Sequence, residues 1–155
     1  MIEEAPAVVE VETRRILAVV QRVRWREIGL AAMPALDRVW AHLRSNNVSG
    51  LGHNLFLYRD SDHDGCEACF GVEVPASVEA PEGFVITATP AGRAATVAHY
   101  GSYNGLFSAN TVLRDWCAEH HHQLTGVTWE LYGDWSDDPA RLRTDIFYEV
   151  ATSAG

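Results

Sequence analysis

Four short segments of this chain recur in the same order at nearly constant spacing. No other feature constrains the fold as strongly. GHNLFLYRD (52–60) lies over GVTWELYGD (126–134), with Gly, Leu, Tyr and Asp coinciding at an offset of 74. LDRVWA (36–41) resembles LRDWCA (113–118) at an offset of 77. RILAVVQRVRW (15–25) lies over RAATVAHYGSY (93–103) at 78, and FGVEV (70–74) over IFYEV (146–150) at 76. Each copy, about 14–75 and 91–151, reads strand, helix, strand, strand.

The first strands are expected at 16–23 and 94–99, where β-branched and small apolar residues concentrate. The helices are expected at 33–43 and 106–120; in the second, Leu106, Leu113, Trp116 and Cys117 form an apolar stripe. Ser102 and Asn104 are candidate N-caps. Trp40 and Trp116 occupy matching helix positions and are expected in the core. A further strand at 83–89 joins the copies, punctuated by Pro75, Pro81 and Pro90. The pattern predicts one α+β domain over 1–155: a duplicated β-α-β-β unit with pseudo-twofold symmetry, an antiparallel sheet, two main helices and a central groove.

The carboxylate of Glu130 is conspicuous within GVTWELYGDW (126–135). Alternation along a strand puts Trp129 and Leu131 on one face and Glu130 and Tyr132 on the other. The Leu-rich face is the expected seat of the helices. The opposite face then carries Phe56, Tyr58, Glu130 and Tyr132, with Phe56 as the repeat mate of Glu130. Aromatic rings around one anion suit a flat, apolar cation, held by stacking, cation–π attraction and a charge partner. The alternative is a structural ion pair of Glu130 with Arg141 or Arg143, or a solvated carboxylate.

Charge and composition exclude other classes. The formal net charge is −9, and all 12 basic residues are arginine, with no basic stripe, so nucleic acid is not an expected partner. No apolar run reaches the ~20 residues that span a bilayer, so no membrane role is expected. The acidic start MIEEAPAVVEVETRR is unlike a signal peptide, and three cysteines suit a reducing, cytoplasmic setting. DSDHDG (60–65) opens like an EF-hand loop, but Gly71 stands at the twelfth position, so it reads as an acidic hairpin turn. His63, Cys66 and Cys69 form H-x-x-C-x-x-C, which Cys117 or His120–His122 would have to complete for zinc; small buried thiols are the expectation. His120–His122 read as capping the second helix. No metal and no cofactor are expected; G-x-G-x-x-G, P-loop, H-E-x-x-H and G-x-S-x-G motifs do not occur.

AGRAATVAHYGSYNGL (91–106), LRDWCAEH (113–120), GVTWELYGDW (126–135) and RTDIFYEV (143–150) together resemble the GyrI-like small-molecule-binding domain. This domain is also the effector-binding half of AraC-type and MerR-type multidrug regulators. The resemblance is closest in the second copy and looser in the first. It implies a duplicated β-α-β-β fold and a drug-binding groove in which Glu130 matches the family glutamate. It further implies that Tyr103 is the tyrosine of the G-x-Y turn, that Tyr132 follows the glutamate by two places, and that Tyr148 is the aromatic of the last strand. Trp25 is placed at the opposite rim as the repeat mate of Tyr103. His99 lies near the groove or serves structurally, and Trp135 is a groove wall or loop anchor. The chain departs from the family at Ser102, where the turn usually has proline, and at Tyr148-Glu149-Val150, where aromatic-proline is usual.

The resemblance implies a stand-alone binder of bulky aromatic, preferably cationic molecules. It also allows a cofactor-independent hydrolase that opens cyclopropane rings of DNA-alkylating natural products, with Glu130 and Tyr103 as catalytic groups. A third possibility is a protein–protein modulator such as a gyrase inhibitor. No DNA-binding helix-turn-helix module is expected in the chain.

Overall fold

The structure is a computed structural model and describes residues 5–152. In chain order its elements are β1 (Ala7–Val11), β2 (Arg15–Arg24), α1 (Ile28–Ser45), β3 (Asn54–Arg59), β4 (Gly65–Glu73), β5 (Val85–Ala88), β6 (Gly92–Tyr100), α2 (Leu106–Glu119), β7 (Leu124–Tyr132) and β8 (Arg143–Val150). Short 3-10 turns precede each helix (Trp25–Glu27 and Tyr103–Gly105), and a third spans Pro139–Arg141. The fold is α+β with antiparallel strand pairing, as the repeat pattern predicts. No helix among the described residues is long and apolar enough to cross a membrane.

The chain forms two compact units. The first runs Thr13–Thr89, with strand order β3-β4-β2-β5 and α1 packed against β2 and β4. Its core is drawn from both faces of the strands: Leu55, Phe56, Leu57 and Tyr58 are all buried. Phe56 lies opposite Phe70 on β4, and their rings meet edge to face at 5.0 Å. The second unit runs from Pro90 onward and includes the segment before Thr13, with strand order β1-β6-β8-β7. Here Ala109, Leu113 and Cys117 of α2 bury against Ala95 and Val97 of β6 and Ile146, Tyr148 and Val150 of β8. In each unit the helix links the first two strands of the β-α-β-β run.

Three elements differ from expectation. β1 was not anticipated; AVVEV is a short segment of mixed exposure that pairs with β6, Val9 opposite Ala94. α1 begins at Ile28 rather than 33, running through Pro34. Its buried face, Ala32, Ala35, Leu36, Val39 and Leu43, outweighs the backbone bond that proline cannot donate. β7 begins at Leu124 and is irregular: Leu124 faces Val150 while Thr128 faces Tyr148, so four steps on β7 match two on β8. Gly126 sits inside this bulge at φ 95°, a conformation that side chains other than glycine resist.

Most other local expectations hold in physical detail; the two helix tryptophans are the exception. The DSDHDG stretch is the hairpin turn between β3 and β4. The Asp62 carboxylate accepts the Asp64 and Gly65 N–H groups at 2.9 and 3.0 Å, which holds its pKa below the usual range. Cys66 and Cys69 are free and buried. At α2's end His120 Nδ1 binds the Trp116 carbonyl at 2.9 Å, and His121 takes the left-handed conformation at φ 58°. Trp40 and Trp116 are half-buried rather than central; Trp40 donates to Asn54 at 2.8 Å, and Trp116 stacks on His120 and His122.

Candidate functional site

The decisive geometry lies where β7 passes the first turns of α2. Glu130 faces Ile146 and Thr128 faces Tyr148 across the β7–β8 ladder; Ile146 and Tyr148 belong to the core under α2. Glu130 and Tyr132 therefore point to the helix-bearing face, while Trp129 and Leu131 point away. This reverses the expected orientation. Trp129 instead stacks on Phe147 at 5.3 Å, on the face without the helix. The split into two faces follows from alternation, but the helix-bearing face does not. Both faces of these strands are apolar enough to be buried, so hydrophobicity could not choose between them.

Glu130 is 8% exposed, a carboxylate largely withdrawn from water. The Tyr132 hydroxyl donates to its Oε1 at 2.9 Å. The Asn110 amide of α2 donates to its Oε2 at a long 3.4 Å and to the Leu106 carbonyl at 2.8 Å. The Tyr148 hydroxyl donates to Asn110 Oδ1 at 2.7 Å. Tyr148 thus stands behind Asn110, and burial is the main cause that raises its hydroxyl pKa. Tyr103, in the turn before α2, sets its ring edge to face against Tyr132, centroids 5.6 Å apart. It is 42% exposed, and partial desolvation raises its hydroxyl pKa.

His99 lies deeper, on β6, 2% exposed, bonded through Nε2 to the Ser102 carbonyl at 2.8 Å. Ser102 caps the 3-10 turn through Oγ, accepting the Asn104 N–H at 3.3 Å, while the N-cap of α2 itself is Gly105. Trp135 is 72% exposed on the loop after β7. The arginines considered as partners of Glu130 make other bonds: Arg143 pairs with Asp145 at 2.9 Å and Arg141 with Asp138 at 3.8 Å. Arg143 and Asp145 alternate with Thr144 and Ile146, so they project to the face opposite Glu130.

Trp25, Phe56 and Tyr58 belong to the other unit. Trp25 opens α1 as Tyr103 opens α2, and its indole N–H donates to the Asp62 carbonyl at 2.9 Å. Phe56 and Tyr58 alternate with Leu55 and Leu57 and share the face of Asn54, the partner of Trp40 on α1. Asn110 went unrecognised in the sequence. Its signal was a polar side chain four residues after Leu106 and three before Leu113, on the stripe that α2 buries.

The Glu130 carboxylate, the Tyr132 hydroxyl and the Asn110 amide thus meet on an α+β framework. The model of the GyrI-like small molecule binding domain matches residues 4–151, and the chain belongs to that family. No curated protein sequence matches it. Among solved structures, the C-terminal domain of EcmrR superposes with a TM-score of 0.74 at 21% identity, covering 94% of this chain and 96% of that domain. EcmrR in its DNA complex gives 0.73, and this chain spans 56% of that longer protein. SAV2435 bound to tetraphenylphosphonium gives 0.72 at 10% identity, covering 96% of this chain and 94% of that one. A hydrolase encoded by lin2189 from Listeria innocua gives 0.60 at 11% identity, covering 97% and 93%. At these identities the likeness is one of fold.

Proposed function

We propose that this protein binds bulky aromatic cations, with Glu130 as the charge partner and Tyr103 and Tyr132 as aromatic walls. The observation that carries the reading is the burial of Glu130 with its oxygens oriented by Tyr132 and Asn110. In a poorly hydrated setting a carboxylate attracts a cation far more strongly than in water. Hydrogen bonds from Tyr132 and Asn110 fix the direction of its two oxygens. The presence of tetraphenylphosphonium on SAV2435, a protein of the same fold, supports the choice of ligand class. Calorimetric titration with tetraphenylphosphonium tests it. Glu130→Gln keeps the shape and removes the charge, so affinity should fall by roughly 1–3 kcal/mol, about 5- to 150-fold. Unchanged affinity would refute the assignment.

A second reading is hydrolysis of cyclopropane-bearing alkylators at the same residues. It is favoured by the carboxylate–phenol pair of Glu130 and Tyr132, with Tyr103 alongside, and by the hydrolase from Listeria innocua that shares the fold. Water would give a proton to Glu130 as its oxygen bonds the ring carbon. The electron pair of the broken C–C bond would pass to the conjugated carbonyl, which takes its proton from Tyr103. Mass spectrometry separates the readings. A product heavier by one water supports hydrolysis, and intact substrate after prolonged incubation supports binding alone.

A further inference from the structure

We infer that His99 is the positioning residue of the site: its Nε2–H latches the turn that carries Tyr103. Ser102 offers His99 a carbonyl, which can only accept, so at 2.8 Å the proton must sit on Nε2. The same carbonyl accepts the Gly105 N–H at 3.0 Å, and Gly101 ties the start of the turn to the Leu142 carbonyl at 2.9 Å. The turn lies directly on the imidazole. A Cβ at Gly105 would come within 2.6 Å of His99 Cε1 and 3.0 Å of Nε2, so only glycine lets the backbone settle there. Held in this way, Tyr103 meets Tyr132, whose hydroxyl binds Glu130.

The latch has a second mark. With the proton on Nε2, Nδ1 is left as an acceptor, and it has no hydrogen-bond partner although buried. Thr144, directly opposite His99 on β8 and fully buried, likewise has an unpartnered hydroxyl. Leaving a buried acceptor unmet is unfavourable. A purely apolar residue would avoid that penalty, so the imidazole is better explained by the bond Nε2 makes than by packing.

The latch itself is independent of any ligand; its effect on affinity rests on the reading of Glu130 as a cation site. Nitrogen-15 NMR of the whole protein should show His99 as the Nε2–H tautomer. A proton on Nδ1 alone overturns the inference. In His99→Leu the ring-to-ring NOEs between Tyr103 and Tyr132 should weaken, and in His99→Gln, which keeps an N–H donor, they should persist. Tetraphenylphosphonium should bind His99→Leu about tenfold more weakly, with His99→Gln recovering most of the loss. Unchanged ring NOEs in folded His99→Leu also overturn the latch. If wild type binds no tetraphenylphosphonium but the tautomer and NOE results hold, the ligand reading fails and the latch stands.

Discussion

Asn110 joins two groups that the sequence keeps twenty and thirty-eight positions away from it, Glu130 and Tyr148. Its amide can play donor and acceptor at once, which no carboxylate or aliphatic residue can do. Asn110→Ala should therefore cost ~1–2 kcal/mol of stability in urea unfolding. The cycle with Tyr148→Phe should be non-additive by roughly 0.5–1.5 kcal/mol, because both changes remove the same bond. Strict additivity would show that the bond contributes nothing. At this scale alternation separated Glu130 and Tyr132 from Trp129 and Leu131, but it did not tell which pair faces the helix. The sequence was opaque for Asn110, because a polar residue on a helix usually faces water and only tertiary packing reveals the exception.

At the scale of elements, periodicity located both helices and most strands, and each miss has a physical cause. Local signals compete with burial, and burial prevails. Pro34 marks a break by propensity, yet α1 continues through it because five buried apolar residues hold the helix against β2 and β4. The penalty should persist as stored instability. Pro34→Ala restores a backbone donor toward Leu30 and should stabilise the fold by ~1–2 kcal/mol, after allowing for the more flexible unfolded chain. Denaturant unfolding with an unchanged midpoint would show that the helix has already absorbed the proline. β1 was missed because five residues of mixed exposure carry too little alternation to stand out from an acidic tail.

For the molecule as a whole, composition makes one prediction unusually clean. The chain has no lysine, so its alkaline titration is dominated by cysteines and tyrosines. Burial pushes the Cys66 and Cys69 thiols up to about 11 from 9.0. A folded-state pKa above the unfolded one means stability present in full below pH 9.0 and lost as pH rises through about 11. The raised hydroxyls of Tyr148 and Tyr103 act in the same direction at higher pH. The urea midpoint should fall across this window, and Cys66→Ala with Cys69→Ala should flatten the fall. An equal fall in that double variant would exclude these two thiols as its cause. The same burial predicts that thiol reagents modify the native protein slowly at pH 8.

The place of β1 in its unit has a consequence for how the chain is made. Residues 13–89 are contiguous, so everything that unit needs is present once Thr89 has emerged from the ribosome. β1 belongs to the other unit, and its ladder partners on β6 run from Gly92 to Thr96. β1 leaves the tunnel before the intervening unit and must wait for β6 while that unit is synthesised. During that interval its exposed apolar residues are open to pairing with other nascent chains. The acidic side chains that punctuate AVVEVE, Glu10 and Glu12, repel such partners until β6 arrives.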